Sequence, residues 1–247
     1  MEGMLKLYSP INELKQIGED IWIVDGNEIH MSFKLFKVPF TTRMTIVKID
    51  NNKLWIHSPI AFNKELNDKI KELGDIEHII APNKYHYSYV LDWYKYYPDA
   101  KVWLAKGVST KLKIDEGENF ISLDNISKTS WSEEILFTPF RGSIAMEEMV
   151  FFHKKSSTLI LTDLIESIEV NKLPLLYKLV FKFGDNKYPK FRTSRDLRSS
   201  FIFKKQAKDS YSKIESWKPD KIIFSHGKII LENGTEKLKE AFYWLRK

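Results

Sequence analysis

The sequence predicts an α/β sandwich of two sheets with outer helices. Three observations carry this. β-Branched and aromatic runs come first as antiparallel strands, then a helix, a strand–helix–strand unit, more strands and a closing strand–helix pair, the order of a layered α/β domain. No internal repeat, low-complexity tract or Pro/Ser-rich linker interrupts residues 1–247, so one domain is expected. At 247 residues with 43% hydrophobic content, the chain can bury a sizeable core.

IWIVDG (residues 21–26), MTIVKI (44–49) and KLWIHS (53–58) read as early antiparallel strands separated by polar turns such as DNNK. In NKELNDKIKELGD (63–75), Leu66, Ile70 and Leu73 recur at helical spacing, with Asn63 placed as N-cap and Gly74 as the stop. The strand IEHII follows, then APNKYHYSYV (81–90), a helix VLDWYKYYPDA closed by Pro98, and the strand KVWLA (101–105). ILFTPF, EMVFFH and TLILTDL read as hairpin-connected strands. Residues 165–200 mix apolar stretches with Gly184 and Pro189, so an irregular or helical excursion is expected, covering an active-site face or making a dimer contact. RDLRSSFIFKKQAKDSYSKIESW has a helical period and KIIFSH (221–226) is a strand. TEKLKEAFYWLRK closes the chain as an amphipathic helix with Leu238, Ala241, Phe242 and Leu245 on one side.

The absence of cysteine excludes disulfides, thiolate metal sites and a cysteine nucleophile. No apolar run nears the roughly 18 residues a membrane span needs, and no signal-peptide core is apparent, so a soluble cytoplasmic protein is expected. Thirty-nine Lys and Arg against thirty-three Asp and Glu leave a charge of +6. Those lysines are interspersed, as in FKKQAKDSYSK, and no basic helix or aromatic–glycine signature accompanies them. That favours a solvated surface and disfavours nucleic acid as a partner. A Gly-x-Ser-x-Gly elbow is also missing, which argues against a serine hydrolase.

Three residues stand where side chains gather over a sheet. His86 follows the strand ending at Ile80. Asp163 ends the apolar run TLILTDL, where a carboxylate must be paired, hydrated or metal-bound. His226 ends IIFSH. Each taken singly is more often a turn or capping residue. Together, three nitrogen and oxygen donors at strand ends are the arrangement a metal site would need.

SPIAF, APNKYHYSYVLDWYKYYPDAKVW, EEMVFFHKKSSTLILTDLI and IIFSHG resemble a branch, known only as a domain of unknown function, of the metallo-β-lactamase-like superfamily. The resemblance runs from about residue 10 to the C-terminus. It implies an αββα sandwich of two mixed sheets with outer helices. The superfamily motif His-x-His-x-Asp-His sets its last His on His86, and its other positions then fall on Ala81, Asn83 and Tyr85. The region of the later Gly-His step carries Arg141-Gly142 or the Glu147-Glu148 pair instead. Asp163 matches the bridging aspartate and His226 the final His, whereas the acidic residue after LWIHS is replaced near His57 and Ser58. By this resemblance His86, Asp163 and His226 are the remnant of the second of two metal sites, a donor set for one Zn²⁺, Fe²⁺ or Mn²⁺ with positions open to water.

Two functions follow. One is a metal-dependent hydrolase with a single-metal site, in which Asn83, Lys84, Tyr85 or Arg141 polarises a carbonyl or phosphoryl oxygen of an unidentified small molecule. The other is a metal-free relative whose three residues bond one another and whose cleft binds a ligand or partner. A homodimer is compatible with either. His153 is expected at a solvent-facing turn, His57 and Ser58 near the cleft, and His30 and His78 in structural roles. The tyrosines from Tyr85 to Tyr97 are expected to pack the helix, with one or two flooring a pocket.

Overall fold

The computed structural model describes residues 5–33, 36–124, 126, 128–174, 178 and 184–246. Strands β1 (Lys15–Gly18) and β2 (Ile21–Asp25) precede a hairpin of β3 (Ile29–Phe33) and β4 (Phe36–Phe40). Next come β5 (Arg43–Ile49), β6 (Lys53–His57), α1 (Lys64–Leu73), β7 (Asp75–Ala81), α2 (Val90–Tyr96), β8 (Lys101–Leu104), α3 (Val108–Leu112) and β9 (Phe120–Ser122). The second half holds β10 (Ile135–Phe140), β11 (Glu148–His153), β12 (Thr158–Ile160), α4 (Arg195–Ser199), α5 (Lys204–Ser216), β13 (Lys221–Ile223) and α6 (Gly234–Ala241).

These strands form a seven-stranded sheet ordered β1-β2-β5-β6-β7-β8-β9, a four-stranded sheet ordered β10-β11-β12-β13, and the separate β3-β4 hairpin. Both large sheets are mixed: antiparallel pairing runs from β1 to β6 and from β10 to β12, and parallel pairing joins β6 to β9 and β12 to β13.

The two-residue period of β11 explains how the layers stack. Met149 and Phe151 enter the core between the sheets with Trp55 and Trp131, while Val150 and Phe152 enter the core under the outer helices. Ile160 and Ile223 likewise face the first core, and Leu159 and Ile222 the second. Helix α5 supplies Ala207, Ser210, Tyr211 and Ile214, buried at i, i+3, i+4 and i+7. Leu238, Ala241, Phe242 and Leu245 are buried as the sequence period requires, although the helix turns 3₁₀ from Tyr243. Truncating a fully buried ring such as Phe151 to alanine costs about 3–5 kcal/mol at such a position.

Local chemistry set several boundaries as expected. Asn63 caps α1 by accepting from the backbone N–H of Leu66 at 2.8 Å, and Gly74 ends it. Elsewhere tertiary contacts overrode the pattern. The helical period of 195–217 is broken between α4 and α5, because the backbone N–H of Phe203 donates to Gly142 and Ser143 meets Ser200 side chain to side chain at 2.6 Å. β12 and β13 stop at Ile160 and Ile223, so Asp163 and His226 lie on buried loops beyond the strand ends. The expected excursion is largely irregular where it is described. Isolated bridges link Glu166 to Arg192 and Ile168 to Lys187, and residues 175–177 and 179–183 lie outside the described residues. Among the described residues no helix is long and apolar enough to cross a membrane.

Candidate metal centre

Residues 82–89 connect β7 to α2 and carry His86. Asn83 shapes this turn: its Oδ1 accepts from the backbone N–H groups of Tyr85 (2.8 Å) and His86 (3.0 Å), the local bonding by which Asn stabilises tight turns. Its Nδ2 donates to Thr162 Oγ1 and Asp163 Oδ2, both at 2.8 Å, and lies 3.1 Å from Glu148 Oε2. Glu148 is fully buried and accepts the backbone N–H groups of Thr162 (2.8 Å) and Asp163 (2.9 Å). One Asn and one Glu thus join the His86 turn to the Asp163 loop. Burial and the charge of Asp163 push the Glu148 carboxyl up to about 7, against the hydrogen bonds from Thr162 and Asp163.

Asp163 Oδ1 lies 3.1 Å from His86 Nε2 and 3.2 Å from His226 Nε2. One donor atom from each of the three residues falls within 4.8 Å of the others. Outer partners orient both rings: Ser58 Oγ is 2.8 Å from His86 Nδ1, and the carbonyl of Thr41 accepts from His226 Nδ1 at 3.0 Å. Imidazoles that bind metals characteristically engage their second nitrogen in this way, which fixes the tautomer and aims the other. Because a carbonyl can only accept, neutral His226 carries its proton on Nδ1 and turns the lone pair of Nε2 toward Asp163. The donor set therefore fits a divalent ion. Tetrahedral ligands with bonds of about 2.0–2.1 Å lie roughly 3.3 Å apart, close to the distances of 3.1 and 3.2 Å from Asp163 Oδ1 to the two histidine nitrogens.

Electrostatics divide the two histidines. Burial opposes a charge on His86, but Asp163, by charge and hydrogen bond, outweighs it and raises the pKa above its ordinary value. Burial leads again at His226 and, joined by the charges of His86 and Arg43, outweighs Asp163 and lowers that pKa. Burial alone would raise the pKa of Asp163, yet the charge of His86 and the hydrogen bonds that His86 and, when protonated on Nε2, His226 donate hold it well below the usual carboxylate range.

His86 and His226 line a cleft of about 300 Å³ with Ser58, Phe40, Lys84 and Tyr85. Lys84 sits over the Tyr85 ring, its Nζ 5.6 Å from the centroid. The hairpin contributes Ile29, His30 and Phe40, and the connection to α2 contributes Tyr87 and Tyr89, so the tyrosines divide between cleft and core.

Two of the expected polarising residues are placed differently. Asn83 is fully buried and both its amide protons are directed at Thr162, Asp163 and Glu148, so it organises the loops and has no free donor for a substrate. Arg141 pairs with Glu147 at 3.6 Å and lines a separate surface cleft with Asp124 and Asp209. His153 is fully buried rather than solvent-facing, bonded through Nδ1 to Ser156 Oγ at 2.7 Å, because β11 is covered on both faces. His57 stacks on Trp55 in the core and stays off the cleft, whereas Ser58 reaches it. His78 is buried against Trp103. The contributions of Thr41 and Arg43 were not read from the sequence. The Thr41 carbonyl has no sequence signal, and Arg43 resembles any charged strand-start residue.

Comparison with known proteins agrees with this fold. The model of a domain of unknown function, DUF4336, matches residues 19–202. Among curated proteins none matches the chain. Solved structures are similar over nearly its whole length. The DIM-1 metallo-β-lactamase is 13% identical over 96% of this chain and 97% of its own, with a TM-score of 0.61. A metallo-β-lactamase from Pontibacter korlensis is 10% identical over 98% and 100%, with a TM-score of 0.58. The metallo-β-lactamase FIM-1 from Pseudomonas aeruginosa, in its mono-zinc form, is 12% identical over 92% of each chain, with a TM-score of 0.55. At such identities the likeness establishes the fold alone. The chain therefore belongs to the DUF4336 family and has a metallo-β-lactamase-like fold.

Proposed function

We propose that the protein is a metal-dependent hydrolase that uses a single ion, held by His86, Asp163 and His226, on a small molecule bound in the adjoining cleft. One observation carries this reading: Ser58 and the Thr41 carbonyl engage the Nδ1 atoms of the two histidines and leave both Nε2 atoms facing Asp163 Oδ1. Imidazole and carboxylate donors suit Zn²⁺, Fe²⁺ or Mn²⁺. An ion bound there supplies a water acidic enough to serve as hydroxide near neutral pH. Lys84 and Tyr85, which line the cleft beside His86, are donors for an oxygen of the substrate, and the buried Asn83–Glu148 pair keeps the Asp163 loop in place. The mono-zinc form of FIM-1 is a precedent within the fold for a single ion.

A second reading is a metal-free binding protein, favoured by the hydrogen-bond distance of 3.1 Å between His86 Nε2 and Asp163, which lets the residues satisfy one another. Metal analysis of protein purified without chelator separates the two. One equivalent of metal, lost in Asp163→Ala, supports the enzyme. No metal in wild type, and none taken up from an excess of Zn²⁺, Fe²⁺ or Mn²⁺, leaves the binding protein.

A further inference from the structure

Arg43 is nearly inaccessible to solvent, and its guanidinium spans two parts of the molecule. On one side Nε donates to Asp25 Oδ1 at 2.8 Å, and Nη2 lies 2.7 Å from the same oxygen. Asp25 and Arg43 are directly paired across β2 and β5, and Lys15 holds the other carboxylate oxygen at 2.7 Å. On the other side Nη1 donates to the carbonyl of Phe224 at 2.6 Å and to that of Gly227 at 3.0 Å. Ser225 and His226 are the residues between those two carbonyls. Two residues earlier on the same segment, the carbonyl of Thr41 accepts the hydrogen bond from His226 Nδ1.

A single stretch, residues 41–43, therefore sets both the backbone carrying His226 and the rotation of its ring. The geometry points to Arg43, anchored by Asp25, as the residue that positions His226. It acts through His226 and does not line the cleft. A guanidinium can meet one carboxylate and two carbonyls at once because its donors lie in a rigid planar fork. A lysine ammonium on a flexible stem is a point charge and cannot hold all three. Arg43→Lys keeps the charge beside Asp25 and gives up the grip on the His226 turn. The importance of Arg43 for metal binding rests on the reading of His226 as a ligand, whereas its effect on the ring does not.

The test uses the full chain with ¹⁵N-labelled histidine, freed of metal, and follows the imidazole signals by NMR. In wild type His226 is the Nδ1–H tautomer with a slowly exchanging ring proton. In Arg43→Lys that proton exchanges at least about tenfold faster and the tautomers mix, while the buried rings of His78 and His153 keep their signals. Zn²⁺ affinity, read by competition with a chromophoric chelator, falls about 10–100-fold, the usual effect of losing an outer partner of a ligand. A role confined to general stability would shift all the buried imidazoles together. Either that uniform shift or a His226 signal unchanged from wild type overturns the proposal. If Arg43→Lys does not fold, Asp25→Asn, which loosens the anchor and leaves Arg43 in place, is read in the same way. Should the wild type bind no Zn²⁺, the imidazole signals still decide the role of Arg43, and only the metal reading is lost.

Discussion

The carbonyl of Thr41 lies 3.0 Å from Nδ1 of His226, and Asp163 Oδ1 lies 3.2 Å from the ring's other nitrogen. With the tautomer fixed by the carbonyl, a lone pair and a carboxylate oxygen face each other, an arrangement that a metal ion between them would stabilise. Added Zn²⁺ should therefore stabilise the fold. At 100 times the dissociation constant the gain is about 2.7 kcal/mol, and Tm rises by roughly 5–10 °C for a chain of this size. Asp163→Ala should show no such rise in thermal unfolding. An equal rise in both proteins would place the metal elsewhere.

Asn83 connects more of the site than any other side chain. Replacing it with alanine removes the bonds to the Tyr85 and His86 backbone and exposes Asp163, Thr162 and Glu148 to an empty buried space. Each buried polar group left without a partner costs about 1–3 kcal/mol, so Asn83→Ala should lose at least about 3 kcal/mol in denaturant unfolding. Asn83→Asp keeps the oxygen that shapes the turn but sets a third carboxyl between Glu148 and Asp163. It should lose more stability at pH 8 than at pH 5. A loss under about 1 kcal/mol in Asn83→Ala would show that the network is not what holds the loops.

Much of the fold was legible because its determinants are local. The Asn63 cap, the Gly74 stop and the 3.6-residue period of the last helix lie within a few residues of the structure they specify. The hairpin Ile29–Phe40 was missed, although it supplies one wall of the cleft. EMVFFH reads as a strand, but its unbroken apolar run also signals cover on both faces, which would have placed His153 inside. Of the site, His86, Asp163 and His226 were reached through a degenerate motif. The residues that aim them are remote in sequence: 185 residues separate Thr41 from His226, and 181 separate Arg43 from Phe224. No spacing rule connects such pairs, because only the closing of the two sheets brings them together.

Gly227 tests whether the His226 turn is as tightly set as these contacts require. Its φ is +113°, and a Cβ added there would lie 2.1 Å from the carbonyl oxygen of Ser167. That oxygen already accepts from the N–H of Lys228, and the N–H of Ser167 donates to the carbonyl of His226. Gly227→Ala must therefore both strain the backbone and displace Ser167 or the turn. Strain of this kind costs about 1–3 kcal/mol, to which the clash adds. The expected result is a loss above about 2 kcal/mol together with at least a tenfold fall in Zn²⁺ affinity. A variant with native stability and native affinity would mean that the turn adapts freely and that His226 is not rigidly held.

His57 makes the acid side of the stability curve predictable. Its ring is buried, stacked on Trp55 at 5.5 Å and edge-on to Phe151 at 5.4 Å. Among the described residues its Nε2 has no hydrogen-bond partner. Burial first, and then the charge of His86, lower its pKa to about 3 from the ordinary 6.5. Between those values the unfolded chain binds a proton at this position that the folded chain does not. Stability from His57 is therefore complete above pH 6.5 and declines as the pH falls toward 3. Each pH unit within that window removes about 1.4 kcal/mol. His57→Phe keeps a ring against Trp55 without the titration. The difference in unfolding free energy between wild type and variant should move in the variant's favour by that amount per unit as the pH drops from 6 to 4. Parallel curves for the two proteins would mean that His57 protonates in the folded state as easily as in the unfolded one, and that its ring is not sealed in the core.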